Sequence, residues 1–289
     1  MNNKFGARRG ASVLRKKLPE LDLDVLESLP LDGLGQARFL LSSYYRLQGY
    51  RVAASSQSRQ LRTLGEPTNV ASWLSATMKL AEGRLYWLLN SWVKRHPLGV
   101  WCLSHTGVGA LTAATLLTEV DLDKCPSVLS LWRFSGLDPT CPKRGEGGKP
   151  RWNRKLRASC WSLGESFVRS KGNPDCYYGG VYAARRAEEQ ARSDSGALSD
   201  VAKATLATKR YRDSTEAYKH YTAGKLPPAR LHARATRYAV KLFLSHYWEV
   251  AYFLRHRTPP AFPCNRSVYV GVPNLSLVPG AEEAFSLRL

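Results

Sequence analysis

The chain has 289 residues, 44% of them hydrophobic, enough for one large domain or two ordinary ones with a buried core. Lys and Arg number 43 against 23 Asp and Glu, a formal net charge of +20, which favours a polyanionic partner held in a salt-dependent way. No apolar run approaches the ~18–20 residues of a membrane span. The N-terminal Met-Asn-Asn-Lys-Phe-Gly-Ala-Arg-Arg lacks the apolar stretch of a signal peptide. The expectation is a cytoplasmic protein with no membrane partner.

In chain order, residues 1–20 read as a basic arm carrying Arg8, Arg9, Arg15, Lys16 and Lys17. Residues 21–96 form an N-terminal helical region. Gly33-Leu34-Gly35 turns into a segment from Gln36 to Leu61, and after Pro67 and Asn69 a helix is expected from Ala71 to Lys94. There Leu74, Met78, Ala81, Leu85, Leu88 and Trp92 recur at three- and four-residue steps, the pattern of one buried helical face.

Residues 97–186 carry the most informative stretch, Leu103 to Leu117. It reads as a helix, a Gly107-Val108-Gly109 turn and a second helix, a helix-hairpin-helix pattern. Glycines on both sides of an apolar residue permit a sharp turn. The amides of Gly107, Val108 and Gly109, with Thr112 in the first helical turn, would face one phosphate oxygen at a helix N-terminus. A short amphipathic helix follows Pro126 and ends at Gly136 as a glycine C-cap. A Gly/Pro/Lys loop then leads to Asn153, which opens a helix to about Ser170.

From Lys143 to Lys171 nine basic residues face two acidic ones, the densest basic block in the chain. Lys143, Arg144, Lys149, Arg151, Arg154, Lys155 and Arg157 are therefore the first candidates for nucleic-acid contact. Residues 187–225 are polar and alanine-rich and read as a solvated helical insertion. Residues 226–257 hold a strong basic helix on which Arg230, Arg234, Arg237 and Lys241 make one stripe without interleaved acids, suited to tracking phosphates. This stripe lies opposite Leu231, Ala235, Tyr238, Leu242 and Ser245. Residues 258–289 are Pro-rich and read as an irregular tail. The fold class is mainly α: a helical bundle containing the hairpin module.

The six cysteines show no CxxC spacing and no histidine at ligand spacing, so they read as reduced thiols, and no cofactor or metal is expected. His105 reads as a polar surface or capping residue. His232 and His246 lie fourteen residues apart on similar faces of one helix, too distant along its axis to share a metal.

Leu103 to Leu117, Phe134 to Pro139, Asn153 to Arg157, and Asn173-Pro with Tyr177, Tyr178 and Tyr182 occur in an order that carries a resemblance. Together they resemble the C-terminal domain of the DEDD-type insertion-sequence transposases, the group guided by a bridge RNA. The resemblance covers residues 71 to 185 and implies a DNA-recombination role. It also implies an N-terminal RuvC-like domain with four metal-holding carboxylates. Here that domain is absent from the pattern, and the acidic cluster Asp22, Asp24 and Glu27 sits on a helical stretch. The family's nucleophilic serine would fall just before Gly145, where this chain has Arg144. Thr140 and Cys141 are the nearby side chains able to attack a phosphodiester, with Ser135 behind them, and none has an evident general base in sequence.

The expected function is accordingly a transposase-like protein contacting the backbone of DNA, or of structured RNA, in recombination or transposition of a mobile element or phage. An active recombinase using Thr140, Cys141 or Ser135, and a structural protein whose basic faces bind acidic partners, are the rival readings. A homo-oligomer is left open.

Overall fold

The computed structural model describes Leu31, residues 33–140, 152–260 and 272–286. Helix is the only regular structure among the described residues, as the periodicity predicts. The chain divides into two compact units, Met1–Trp92 and Val93–Leu289.

The first unit contains α1 (Leu34–Thr63) and most of α2 (Asn69–Lys94). Three polar ties run between them. Arg51 Nε donates to Glu82 at 2.6 Å, Ser55 meets Ser75 at 2.7 Å, and Ser58 meets Ser72 at 3.0 Å. Partners later on α1 are earlier on α2, so the helices are antiparallel. The expected buried stripe of α2 holds only at its end. Leu88 and Trp92 are buried beside Leu89, whereas Leu74 is exposed and Met78, Ala81 and Leu85 are half-buried. Instead, the buried position in the middle of α2 belongs to Glu82, held by Arg51. Periodicity marks which residues share a face, but burial requires a covering element, and α1 offers serines and an arginine there.

The second unit begins with the short helices α3 (Pro97–Leu103) and α4 (Ala110–Glu119). Pro97 starts α3 at a position where a missing N–H costs nothing. Helix α5 (Val128–Phe134) starts with a reciprocal Ser127–Ser130 capping box. It ends as expected at Gly136, whose φ is +70°, with Leu137 N–H donating back to the Trp132 carbonyl at 2.8 Å. Asn153 caps α6 (Arg154–Arg169), accepting from the amides of Lys155 and Leu156. Then come α7 (Tyr177–Asp194), α8 (Ser199–Thr208), α9 (Glu216–Thr222) and the long α10 (Pro228–His256).

Helix α10 is the axis of this unit, packing against α3, α5, α6 and α7. Its second half is buried nearly all round, including Phe243, Leu244, Tyr247 and Val250, and Phe243 meets the rings of Trp101, Phe167 and Tyr178. Three indole N–H groups find carbonyls far along the chain, as buried tryptophans require. Trp101 donates to Pro273, Trp132 to Lys241 and Trp248 to Cys125, at 2.8, 3.1 and 2.9 Å. Two tyrosines of α7 bond the histidines of α10: Tyr178 with His246 and Tyr182 with His232, each at 2.8 Å. These partners account for both histidines, and no metal-binding cluster of His, Cys, Asp or Glu occurs among the described residues. Cys102, Cys125, Cys160 and Cys176 are free and buried, and burial raises the Cys160 thiol to about 12.

Three expectations need correction. Residues 187–225 are not a solvated spacer: α7 runs through residue 187, and Leu198, Ala202 and Tyr221 pack on Leu226 and Leu231 as a separate small core. The tail is not wholly irregular, because residues 272–286 form a 3-10 turn (Leu275–Leu277) and α11 (Ala281–Ser286). Val272, Val278, Ala281 and Phe285 are buried there, Phe285 against Phe253. His105 is not at the surface. It is 4% exposed among Trp101, Tyr178 and Phe243, and burial lowers it to about 4, so it is neutral at physiological pH. No helix among the described residues is long and apolar enough to cross a membrane.

Candidate nucleic-acid interface

A cleft of about 620 Å³ opens between α6, α10 and the turn 136–139. Its floor follows from one glycine. A Cβ on Gly164 would lie 2.5 Å from Thr236 Cγ2 and 3.2 Å from Val240 Cγ2, so only glycine lets α6 approach α10 this closely. Arg157, Trp161 and Glu165 follow at four-residue steps along α6 and share one face. Thr236, Arg237 and Val240 line the opposing side from α10.

Aromatic and cationic groups alternate here. Trp161 is 70% exposed. Trp152 lies beside it under the Arg157 guanidinium, 4.7 Å from the ring centre, and Arg157 also donates to the Gly136 carbonyl at 2.7 Å. One turn beyond Arg237 on α10, Lys241 Nζ sits 3.9 Å above the Trp132 ring. Both contacts are cation–π geometries that hold the charge in place without neutralising it. Burial pulls Lys241 below the ordinary lysine range, with Asp138 opposing and Arg237 adding to the shift.

Arg237 has no acidic partner among the described residues. Although exposed, it is lowered by desolvation from its surroundings and then by the like charges of Arg234, Arg157 and Arg230. This crowding by neighbouring guanidiniums favours a bound anion beside Arg237.

The four-residue basic stripe therefore divides. Arg230 donates to Thr205 and Tyr221, bracing the small core under α8 and α9. Arg234 is consumed by Glu189 of α7, a carboxylate 1% exposed, through bonds of 2.6 and 3.2 Å, with Arg185 on the same carboxylate at 2.6 Å. The acid missing from the stripe itself is thus supplied by another helix, and of the four cations only Arg237 lines the cleft, with Lys241 one turn beyond it over Trp132. On α6, Lys155 faces Glu119 at 3.6 Å, while Arg154 is exposed, has no acidic partner among the described residues, and lines a second dent with Trp152 and Trp161. Lys143, Arg144, Lys149, Arg151 and Cys141 lie outside the described residues.

The Gly107–Gly109 turn is only partly as expected. Gly107 has φ +98°, and a Cβ there would meet Phe167 at 3.1 Å. Gly109 is the N-cap of α4 at φ −92° with open space around it, so no steric reason demands glycine. Val108 is buried and its N–H donates to the His105 carbonyl, which removes it from the expected phosphate donors. The amide of Thr112 remains in the first turn of α4, where helical geometry leaves donors without intrahelical partners.

Of the nucleophile candidates, Ser135 is excluded: it is fully buried and donates to the Trp132 carbonyl. Thr140 Oγ donates to Asp138 at 2.7 Å. That hydroxyl, the Thr140 amide and then Arg133 hold the Asp138 carboxyl below its ordinary value, which makes it a weak base for activating Thr140.

Sequence reasoning missed Trp152, Trp161, Glu165 and Thr236. The available signal was the four-residue step from Arg157 through Trp161 to Glu165, an exposed aromatic between charges on one helical face.

Compared with known proteins, the chain matches no family model, no curated protein and no solved structure.

Proposed function

We propose that this chain binds the backbone of DNA, with structured RNA as the alternative partner, as a transposase-like factor in recombination or movement of a mobile element or phage. One observation carries the reading: Arg237, with no acidic partner among the described residues, faces a cleft shared with Arg157, with Lys241 one turn further along α10, in a chain of net charge +20. The transposase resemblance supports the same role and the same region of the chain. Phosphate contacts fix position and carry no base information, so the function at this level is sequence-tolerant.

The test is binding by the full chain to duplex DNA, single-stranded DNA and a folded RNA between ~50 and 200 mM salt. The logarithm of the affinity should fall linearly with that of salt, by about 0.9 per duplex phosphate neutralised. The double variant Arg154→Gln/Arg237→Gln should weaken binding and flatten the slope by roughly two such contacts. Absence of binding, or binding indifferent to both salt and variant, rejects the proposal.

A further inference from the structure

We infer that the α6–α10 cleft receives one unpaired nucleotide of a DNA strand, with its base against Trp161 and its phosphate at Arg237; the inference rests on the backbone-binding reading above. Phosphate tracking alone does not explain the composition of the cleft. A surface built only for phosphate has no use for an indole 70% exposed, nor for carboxylates in its wall. Yet Glu165 and Asp138 line the same cleft as Arg157 and Arg237.

Asp138 is engaged by Thr140 and Arg133, and a nucleotide accounts for Arg237, Trp161 and Glu165. Its phosphate is the anion that Arg237 lacks. Its base offers a flat face to Trp161, and stacking of that kind is tolerant of sequence because every base has such a face. Its edge carries amino donors, which suit the Glu165 carboxylate. Glu165 stands 3.9 Å from His232 Nε2, whose Nδ1 is fixed by Tyr182 at 2.8 Å, so the wall is held in position. The volume also admits such a ligand. About 620 Å³ falls in the ~300–1,000 Å³ range of sites for single small molecules. A base still paired in a duplex cannot enter such a space, so the nucleotide must be unstacked and extruded.

The experiment compares three DNA duplexes of one sequence: fully paired, with one bulged 2-aminopurine, and with an abasic bulge at the same place. The full chain should bind the 2-aminopurine bulge about 10- to 100-fold more tightly than the abasic one. The bound 2-aminopurine should also be quenched. Trp161→Ala should bring that ratio close to one and restore the fluorescence, and Trp161→Phe should retain most of both. Because Trp161 is exposed, its removal leaves no cavity, and circular dichroism of the variant confirms the fold.

Equal affinity for the 2-aminopurine and abasic bulges overturns the inference and leaves backbone binding standing. Failure to bind the three duplexes overturns the inference, and failure to bind the single-stranded DNA and folded RNA as well defeats both readings. If deoxyadenosine monophosphate binds as tightly as the bulged duplex and competes fully with it, the site serves a free nucleotide and the strand assignment is wrong.

Discussion

Gly107 and Gly109 flank a single valine, yet they do different work. At φ +98° a side chain on Gly107 is strained whatever its surroundings, and here it also meets Phe167. Gly107→Ala should cost about 1–3 kcal/mol. Gly109 sits at an ordinary extended φ of −92° with nothing nearby, so Gly109→Ala should cost less than about 1 kcal/mol, the N-cap preference alone. Urea denaturation of the two single variants checks this, and equal midpoints would contradict it. A variant carrying both substitutions cannot separate lost phosphate contact from lost stability. His105 shows the complementary point: its neighbours in sequence are polar or small, and only the fold surrounds it with Trp101, Tyr178 and Phe243.

Helices α7 and α10 are joined by a charge that neither helix shows by itself to be important. Burial pushes the Glu189 carboxyl up, but the Arg234 hydrogen bond and charge, and then those of Arg185, outweigh it and hold the group below its ordinary 4.5. A depressed carboxylate contributes stability that is complete above that ordinary value and is lost as pH falls through the folded value. Glu189→Gln should therefore destabilise the chain at pH 7 by about 1–3 kcal/mol, because the partly buried Arg234 loses its counter-charge and Arg185 keeps only Glu188. It should also remove part of the acid-induced loss seen in the unmodified chain. Denaturant midpoints at pH 7 and below pH 4 provide the measurement. A variant as stable as its parent at pH 7 would show the cluster to be energetically idle. The pairing of α6 with α10 rests on shape instead, through the bare Cα of Gly164 against Thr236 and Val240.

In the unit Val93–Leu289 the core is closed by segments distant in sequence. Trp101 donates to Pro273, and Phe253 packs on Phe285. Truncation after Pro260 should expose Trp101 and Phe253 and lower the melting temperature by several degrees, since about 1 kcal/mol corresponds to roughly 2–4 °C in a domain of this size. An unchanged melting temperature would show that residues 272–286 do not hold the core. The helices themselves were legible in sequence. Apolar steps of three and four marked α2 and α10, and Asn153 and Gly136 marked ends, because periodicity and capping are properties of neighbouring residues. Tertiary structure alone decided which cations stay available. Arg234 and Arg237 look alike on one helix, and only the approach of α7 brings Glu189 to the first and leaves the second uncompensated. It also decided that Trp161 and Glu165 share a cleft with Arg237, since Coulomb forces and packing act over distances in space that one sequence does not specify.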